Sequence, residues 1–110
     1  MSLHANPHRG EIVATLGGRQ WKLRLTLGAL AELEAALDAP DLLALAERFE
    51  QGRLSAAEAI TIIAAGLRGA GHDISDEEVA RLECENGVAG YVDIIARLLA
   101  ATFPQAADGQ

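Results

Sequence analysis

Two short segments near the N-terminus alternate apolar and polar residues, which is the pattern of strands with one buried face. The first runs from Arg9 to Leu16 and the second from Arg19 to Leu25. The Gly17-Gly18 pair between them favours a two-residue turn, because both central positions of a type I′ turn need a positive φ. The pattern predicts a β-hairpin whose apolar face carries Ile12, Ala14, Leu16, Trp21, Leu23 and Leu25.

After residue 25 the apolar spacing changes to the period of amphipathic helices. Thr26 is a suitable N-cap, while Ser55 and Ser75 each stand three residues before a glutamate, which is the signature of a capping box. We predict five helices: one from 26 to about 37, one ending at Gly52, two opened by Ser55 and Ser75, and one from about 88 to 102. The apolar positions of the first are Leu27, Leu30, Leu33 and Leu37.

The predicted fold class is α+β, mainly α, with an N-terminal β-hairpin packed on a bundle of about five short helices. A chain of 110 residues is expected to form one domain. We place it at residues 9–103, with the hairpin at 9–25 and the helices at 26–103. Residues 1–8 and 104–110 lack periodicity and are expected to be a flexible N-terminal tail and a disordered C-terminal tail.

Composition indicates the compartment. No apolar run approaches the ~20 residues of a membrane span, and the N-terminus lacks the basic-then-apolar pattern of a signal peptide. A single cysteine, Cys84, excludes an internal disulfide and fits a reducing compartment. The sequence therefore predicts a cytoplasmic protein that has no membrane partner.

Charge is distributed unevenly along the chain, whose net charge is −7. Residues 1–26 hold four basic residues and one acid, whereas residues 27–110 hold five basic residues and fifteen acids. A basic hairpin is thus expected on an acidic helical body. An acidic domain repels phosphate backbones, so we expect no nucleic-acid partner. The basic hairpin either docks on the acidic body of its own chain or forms a basic face for a partner.

Candidate chemistry is sparse. His4 and His8 have a spacing found in helical metal pairs, but a proline lies between them and no third ligand is near in sequence. The acids that follow His72 are better explained as first-turn residues that complement a helix dipole. Cys84 is flanked by two glutamates, which disfavour a reactive thiolate. We therefore predict no enzyme activity, no metal site and no cofactor.

Several segments resemble a known family. The Arg9-Gly10-Glu11 opening, the run from Thr26 to Glu34 and the helix end Gly66-Leu67-Arg68-Gly69 are similar to small tail-region proteins of gene transfer agents and related phages. The resemblance covers roughly residues 5–103 and implies a role as a tail tube protein or as a tail assembly chaperone. It implies the tape measure protein as partner, together with the tail tube protein as a second candidate, and it leaves a homo-oligomer open.

Physical reasoning then separates the two family roles. A tube subunit must supply strands to a closed barrel, whereas one hairpin and about five helices suit a chaperone that covers apolar helices of the tape measure protein. We therefore predict a tail assembly chaperone, with a structural tail component or a helical protein–protein adaptor as alternatives. The candidate partner surface is Arg19, Trp21, Lys22 and Arg24, although the alternation also suits Trp21 to the core.

Overall fold

The computed structural model of the protein describes residues 9–39, 42–84 and 87–102, with only the backbone described at 42 and 43. Within these ranges an antiparallel hairpin precedes five helices, which confirms the predicted α+β, mainly α class. The predicted tails at 1–8 and 104–110, and residue 103, lie outside the described residues. The elements are β1 (Glu11–Leu16), β2 (Arg19–Arg24), α1 (Leu27–Ala36), α2 (Leu42–Glu50), α3 (Ala56–Gly69), α4 (Asp76–Arg81) and α5 (Val88–Thr102).

The hairpin forms as its alternating pattern predicts. β1 and β2 pair along their whole length, with Leu16 opposite Arg19 next to the turn. Gly17 and Gly18 have φ angles of 60° and 78°, so both central turn positions use the left-handed region that glycine allows. The apolar face of the hairpin is buried at Ile12, Ala14, Leu16, Trp21, Leu23 and Leu25.

Side-chain caps begin three of the helices at the predicted positions. The Thr26 hydroxyl accepts a 3.1 Å hydrogen bond from the backbone N–H of Ala29 and caps α1. The two capping boxes are complete, since in each the serine hydroxyl accepts from the glutamate N–H and the glutamate carboxylate accepts from the serine N–H. Each box satisfies N–H groups that a helix start leaves without partners.

Helix α3 is the centre of the core. It packs against β2, α1, α4 and α5, and every residue from Ile62 to Leu67 is buried. The remaining large side chains that are fully buried come from the elements around it, namely Leu16, Leu23, Leu33, Leu45, Val79, Ile95 and Leu98. A core of this size needs no metal or disulfide, because burial of each such side chain contributes about 1.5–3 kcal/mol.

The C-terminal turn of α3 approaches the hairpin closely. A methyl group at Gly69 would overlap the backbone carbonyl oxygen of Arg24, at the end of β2. One turn earlier, a methyl group at Gly66 would lie 2.9 Å from a methyl carbon of Leu98 and 3.3 Å from one of Leu23. Glycine at these positions therefore lets the helix backbone lie against the strand, which fixes the hairpin on the bundle.

Leu27 departs from the predicted apolar positions of α1. Its side chain is 82% exposed, whereas Ala29, Leu30 and Leu33 are buried. Successive helix residues turn by about 100°, so Leu27 lies roughly 120° around the helix from Leu33. That angle places it outside the buried stripe even though its spacing to Leu30 fits a helical period.

Candidate protein-binding surfaces

Strand β2 carries the four residues suggested as a partner surface, and the structure divides them between its two faces. Trp21 lies in the core, with 8% of its surface exposed, and its indole Nε1 donates a 2.9 Å hydrogen bond to the carbonyl oxygen of Leu16. Arg19 is exposed, with its guanidinium carbon 4.4 Å from the Trp21 ring centre, a cation–π distance. The edge of the His72 ring packs against Trp21, with ring centres 5.0 Å apart. A partner role for Arg19 and Trp21 stays a prediction.

Lys22 and Arg24 are half-buried on the opposite face of the strand. The ammonium of Lys22 lies 3.5 Å from a carboxylate oxygen of Glu11, and the Nε of Arg9 lies 3.7 Å from the other oxygen. Glu11 is only 7% exposed, a burial that strand alternation did not predict. Pairing with two cations reduces the cost of burying this carboxylate.

Three of the described arginines of the helical body form ion pairs with acids of the helices. Ion pairs of 3.0–3.4 Å join Arg48 to Glu58, Arg68 to Glu32, Arg68 to Asp76, and Arg97 to Asp93. Among the described residues, no ion pair joins a basic residue of the hairpin to an acid of the helices. Direct pairing within the chain therefore does not neutralise the hairpin, which keeps an excess of positive charge.

Arg68 joins the end of α3 to the neighbouring helices. Its guanidinium donates to Asp76 and Glu32, each at 3.0 Å, and to the carbonyl oxygen of Ile74 at 3.1 Å. Burial lowers the pKa of this guanidinium, but its bonds and charge interactions with Asp76 and Glu32 outweigh burial and raise the pKa overall. The guanidinium therefore stays charged, and its ion pairs link α3 to α1 and α4.

The outer edge of β1 contacts the helical body. The Arg97 guanidinium donates a 2.9 Å hydrogen bond to the backbone carbonyl oxygen of Val13. At the hairpin tip, the N–H of Gly17 donates to the carbonyl oxygen of Glu83 at 2.8 Å. The first bond satisfies a backbone carbonyl of β1 that would otherwise be available to another strand, and the second attaches the turn to the segment after α4. No sequence signal marks the link, since 84 residues separate Arg97 from Val13.

A separate apolar groove of about 480 Å³ lies where the ends of α2 and α3 meet α4 and α5. Its apolar walls include Phe49, Leu54, Ile60, Tyr91, Val92 and Ile95. Val88 also lines the groove, and Val88 and Val92 are 79% and 48% exposed. At about 100° per residue, Val88 lies at an angle between those of the buried residues Ile95 and Leu99 around α5, so apolar periodicity does not distinguish the groove from the core.

A partly buried hydrogen bond lies in the wall of the groove. The Tyr91 hydroxyl donates a 2.6 Å hydrogen bond to the carbonyl oxygen of Leu82. Burial raises the pKa of the Tyr91 phenol and the Glu83 carboxylate adds to the rise, which together outweigh the lowering by a hydrogen bond from the Cys84 backbone. The phenol therefore remains protonated at neutral pH and ties α5 to the end of α4.

The described part of the chain holds no group of three or more His, Cys, Asp or Glu residues that could bind a metal ion. His4 and His8 lie outside it. Among its helices, none is both long and apolar enough to cross a membrane. Its prominent surfaces are instead the basic strand β2 and the apolar groove.

Exposed strand edges and apolar grooves are features through which domains bind other proteins. Residues 9–105 match the protein family described as "Phage tail tube protein, GTA-gp10", and the chain belongs to that family. The match supports the resemblance to tail proteins of phages and gene transfer agents, but it does not support the chaperone role specifically. No curated protein and no solved structure matches the chain.

Proposed function

We propose that this protein is a non-enzymatic structural component of a phage or gene-transfer-agent tail, where it binds other tail proteins. The observation that carries the proposal is the family match, which extends over the whole described domain. The two surfaces on the helical bundle and the hairpin are consistent with binding as the activity. The alternative of a structural tail component thus takes precedence over the chaperone role predicted from the sequence.

The strand content limits what kind of component it is. A closed barrel around a lumen is built from many hydrogen-bonded strands, and the described residues supply two strands of six residues each. A six-residue strand extends about 20 Å. We therefore favour a component that attaches to the tube or to the proteins that build it over a subunit that forms the tube wall alone.

The apolar groove favours a second candidate, a tail assembly chaperone that binds the tape measure protein. Amphipathic helices bind such grooves through apolar residues on one face. Exposed Val88 and Val92 at the rim of the groove would contact that face. A chaperone of this type would keep long apolar segments of the tape measure protein soluble until the tube assembles around them.

Purified particles separate these two roles. If the protein is a structural component, mass spectrometry of mature particles should detect it in a fixed ratio to the tail tube protein. If it is a chaperone, it should be missing from particles but co-purify with the tape measure protein from the producing cells. Finding it in neither fraction would contradict both roles. Deletion of the gene should leave particles without complete tails in either case.

Substitutions in the groove test its part in binding. Val88→Asp combined with Val92→Asp places two charges where an apolar face would dock, so tape measure protein should no longer co-purify. Leu27→Asp is the matched control, because Leu27 is also an exposed apolar residue but is not part of the groove. Equal loss of co-purification in the control would show that general surface hydrophobicity, rather than the groove, binds the partner.

A further inference from the structure

The two edges of the hairpin differ, because the helical body covers only part of the sheet. On β1, Val13 bonds to Arg97 through its carbonyl oxygen. That bond shows that the backbone groups of Val13 point away from β2. In an antiparallel pair, residues alternate between those that bond to the partner strand and those whose N–H and C=O both point outward.

This alternation identifies the outward backbone groups of β2. Val13 lies opposite Lys22 in the strand register, so the N–H and C=O of Lys22 also point outward, on the far side of the sheet. The same holds for Gln20 and Arg24, two positions away on either side. The two-residue turn leads to the same assignment, because it makes Leu16 and Arg19 a pair that bonds to each other. Counting along β2 in steps of two from Arg19 then leaves Gln20, Lys22 and Arg24 as the residues whose backbone groups point outward.

Part of this outer edge is open. The carbonyl oxygen of Arg24 is covered by the end of α3 at Gly69. Within the described ranges, by contrast, the backbone of Gln20 and of Lys22 has no hydrogen bond outside the hairpin. Gln20 is exposed and Lys22 is half-buried. Four backbone groups, two N–H and two C=O, are thus available to an added strand.

The charge along this edge selects the strand that can add. Lys22 and Arg24 share one face of β2, where Lys22 pairs with Glu11 of β1, and among the described residues no ion pair joins either of them to an acid of the helices. A second copy of β2 is a poor match, because antiparallel pairing centred on Lys22 would bring two lysines directly opposite each other. A strand with acidic side chains on that face gains attraction instead of repulsion.

We propose that the outer edge of β2 binds an extended acidic segment of a partner protein by strand addition, with acids that contact Lys22 and Arg24. Backbone hydrogen bonds to Gln20 and Lys22 provide the pairing, and alternate acidic side chains provide the selectivity. This inference adds a binding site to the proposed function. It rests on that function only where it takes the partner to be a tail protein.

The test uses the full-length protein and synthetic seven-residue peptides. The probe alternates glutamate and valine, and calorimetry measures its affinity. A second peptide has the same sequence with N-methyl groups on the amides that face β2, and a third replaces glutamate by lysine. Strand addition requires that the probe binds and that the other two do not. Amide hydrogen exchange should slow at Gln20 and Lys22 when the probe binds.

Variants test the contribution of charge. Lys22→Gln with Arg24→Gln should weaken binding of the probe about tenfold, since each exposed ion pair contributes modestly. Arg53→Gln with Arg81→Gln is the control, because it changes net charge equally at exposed residues elsewhere. Lys22 also pairs with Glu11, so thermal unfolding must show that the first variant is folded. The N-methylated peptide tests strand addition without any substitution.

The opposite outcomes are distinct. Equal binding of the probe and its N-methylated form would show simple charge attraction and would overturn strand addition. Absence of binding, together with aggregation of the Lys22→Gln and Arg24→Gln variant, would show that the basic residues only protect an edge from self-association. The protein could also bind the probe and yet be missing from tails and from tail-protein complexes. That result would refute the proposed function but not strand addition.

Discussion

Gly69→Ala tests the close approach that places the hairpin on the bundle. Gly69 is the last residue of α3, and a methyl group there would overlap the carbonyl oxygen of Arg24. The same methyl group would lie 3.2 Å from the carbonyl carbon of Arg24 and 3.5 Å from the backbone nitrogen of Thr26. These neighbours are backbone atoms that cannot rotate away, so helix and strand would have to separate.

The expected cost follows from two opposing effects. Forcing an extra carbon into a packed site costs about 1–3 kcal/mol, and a clash with backbone favours the upper part of that range. Alanine gains up to about 1 kcal/mol over glycine in a helix interior, and less at a helix end. We therefore expect Gly69→Ala to lower the free energy of unfolding by about 2 kcal/mol. For a domain of this size, the thermal midpoint should fall by about 8 °C.

Two other helical glycines provide a graded comparison for urea and thermal unfolding. A methyl group at Gly28 would meet only the Thr26 hydroxyl oxygen, at 3.9 Å, so Gly28→Ala should be neutral or stabilising. Gly66→Ala should fall between the two, because its close neighbours are the ends of flexible leucine side chains. If Gly69→Ala unfolds at the same temperature as Gly28→Ala, the reasoning about backbone contact between α3 and β2 is wrong.

Three further substitutions can be tested by equilibrium unfolding. Tyr91→Phe should lose about 1 kcal/mol with the hydrogen bond to Leu82. The raised pKa of the Tyr91 phenol means that the unfolded chain loses this proton first, so wild-type stability should fall above about pH 10. The Tyr91→Phe variant should lack the part of this alkaline loss of stability that comes from the phenol. An identical loss in the variant would contradict the raised pKa of Tyr91 as its cause. Ser75→Ala should cost about 1 kcal/mol, with a smaller loss if Glu78 alone sustains the cap. Arg68→Met should cost less than about 1 kcal/mol per ion pair, since both acids are about half exposed, and high salt should reduce the difference.

Local signals in the sequence predicted much of the fold. The Gly17-Gly18 turn, the cap at Thr26 and the capping boxes at Ser55 and Ser75 each depend on residues within a few positions of one another. Interactions between residues this close in sequence can be predicted from a short segment alone. The buried stripe of α5 follows in the same way from apolar periodicity.

The rest depends on contacts between distant segments. Strand alternation placed Glu11 toward solvent, but it is buried beside two cations. The bond from Arg97 to Val13 and the location of the groove arise only when the helices have packed. Charge and strand alternation predicted the partner surface. Those signals do not distinguish the edge of β1, which contacts α5, from the edge of β2, which is partly open.

The bond between Arg97 and Val13 also sets a limit on assembly. A sheet with two open edges can grow in both directions, as in fibrils and in continuous sheets shared by neighbouring subunits. Here Arg97 of α5 binds the carbonyl oxygen of Val13, in the middle of β1, so a strand added to that edge would have to displace this bond. While that bond is kept, strand addition at β2 would give one bound segment per hairpin, and the sheets of neighbouring copies would not join through β1 even where many copies are concentrated in a growing particle.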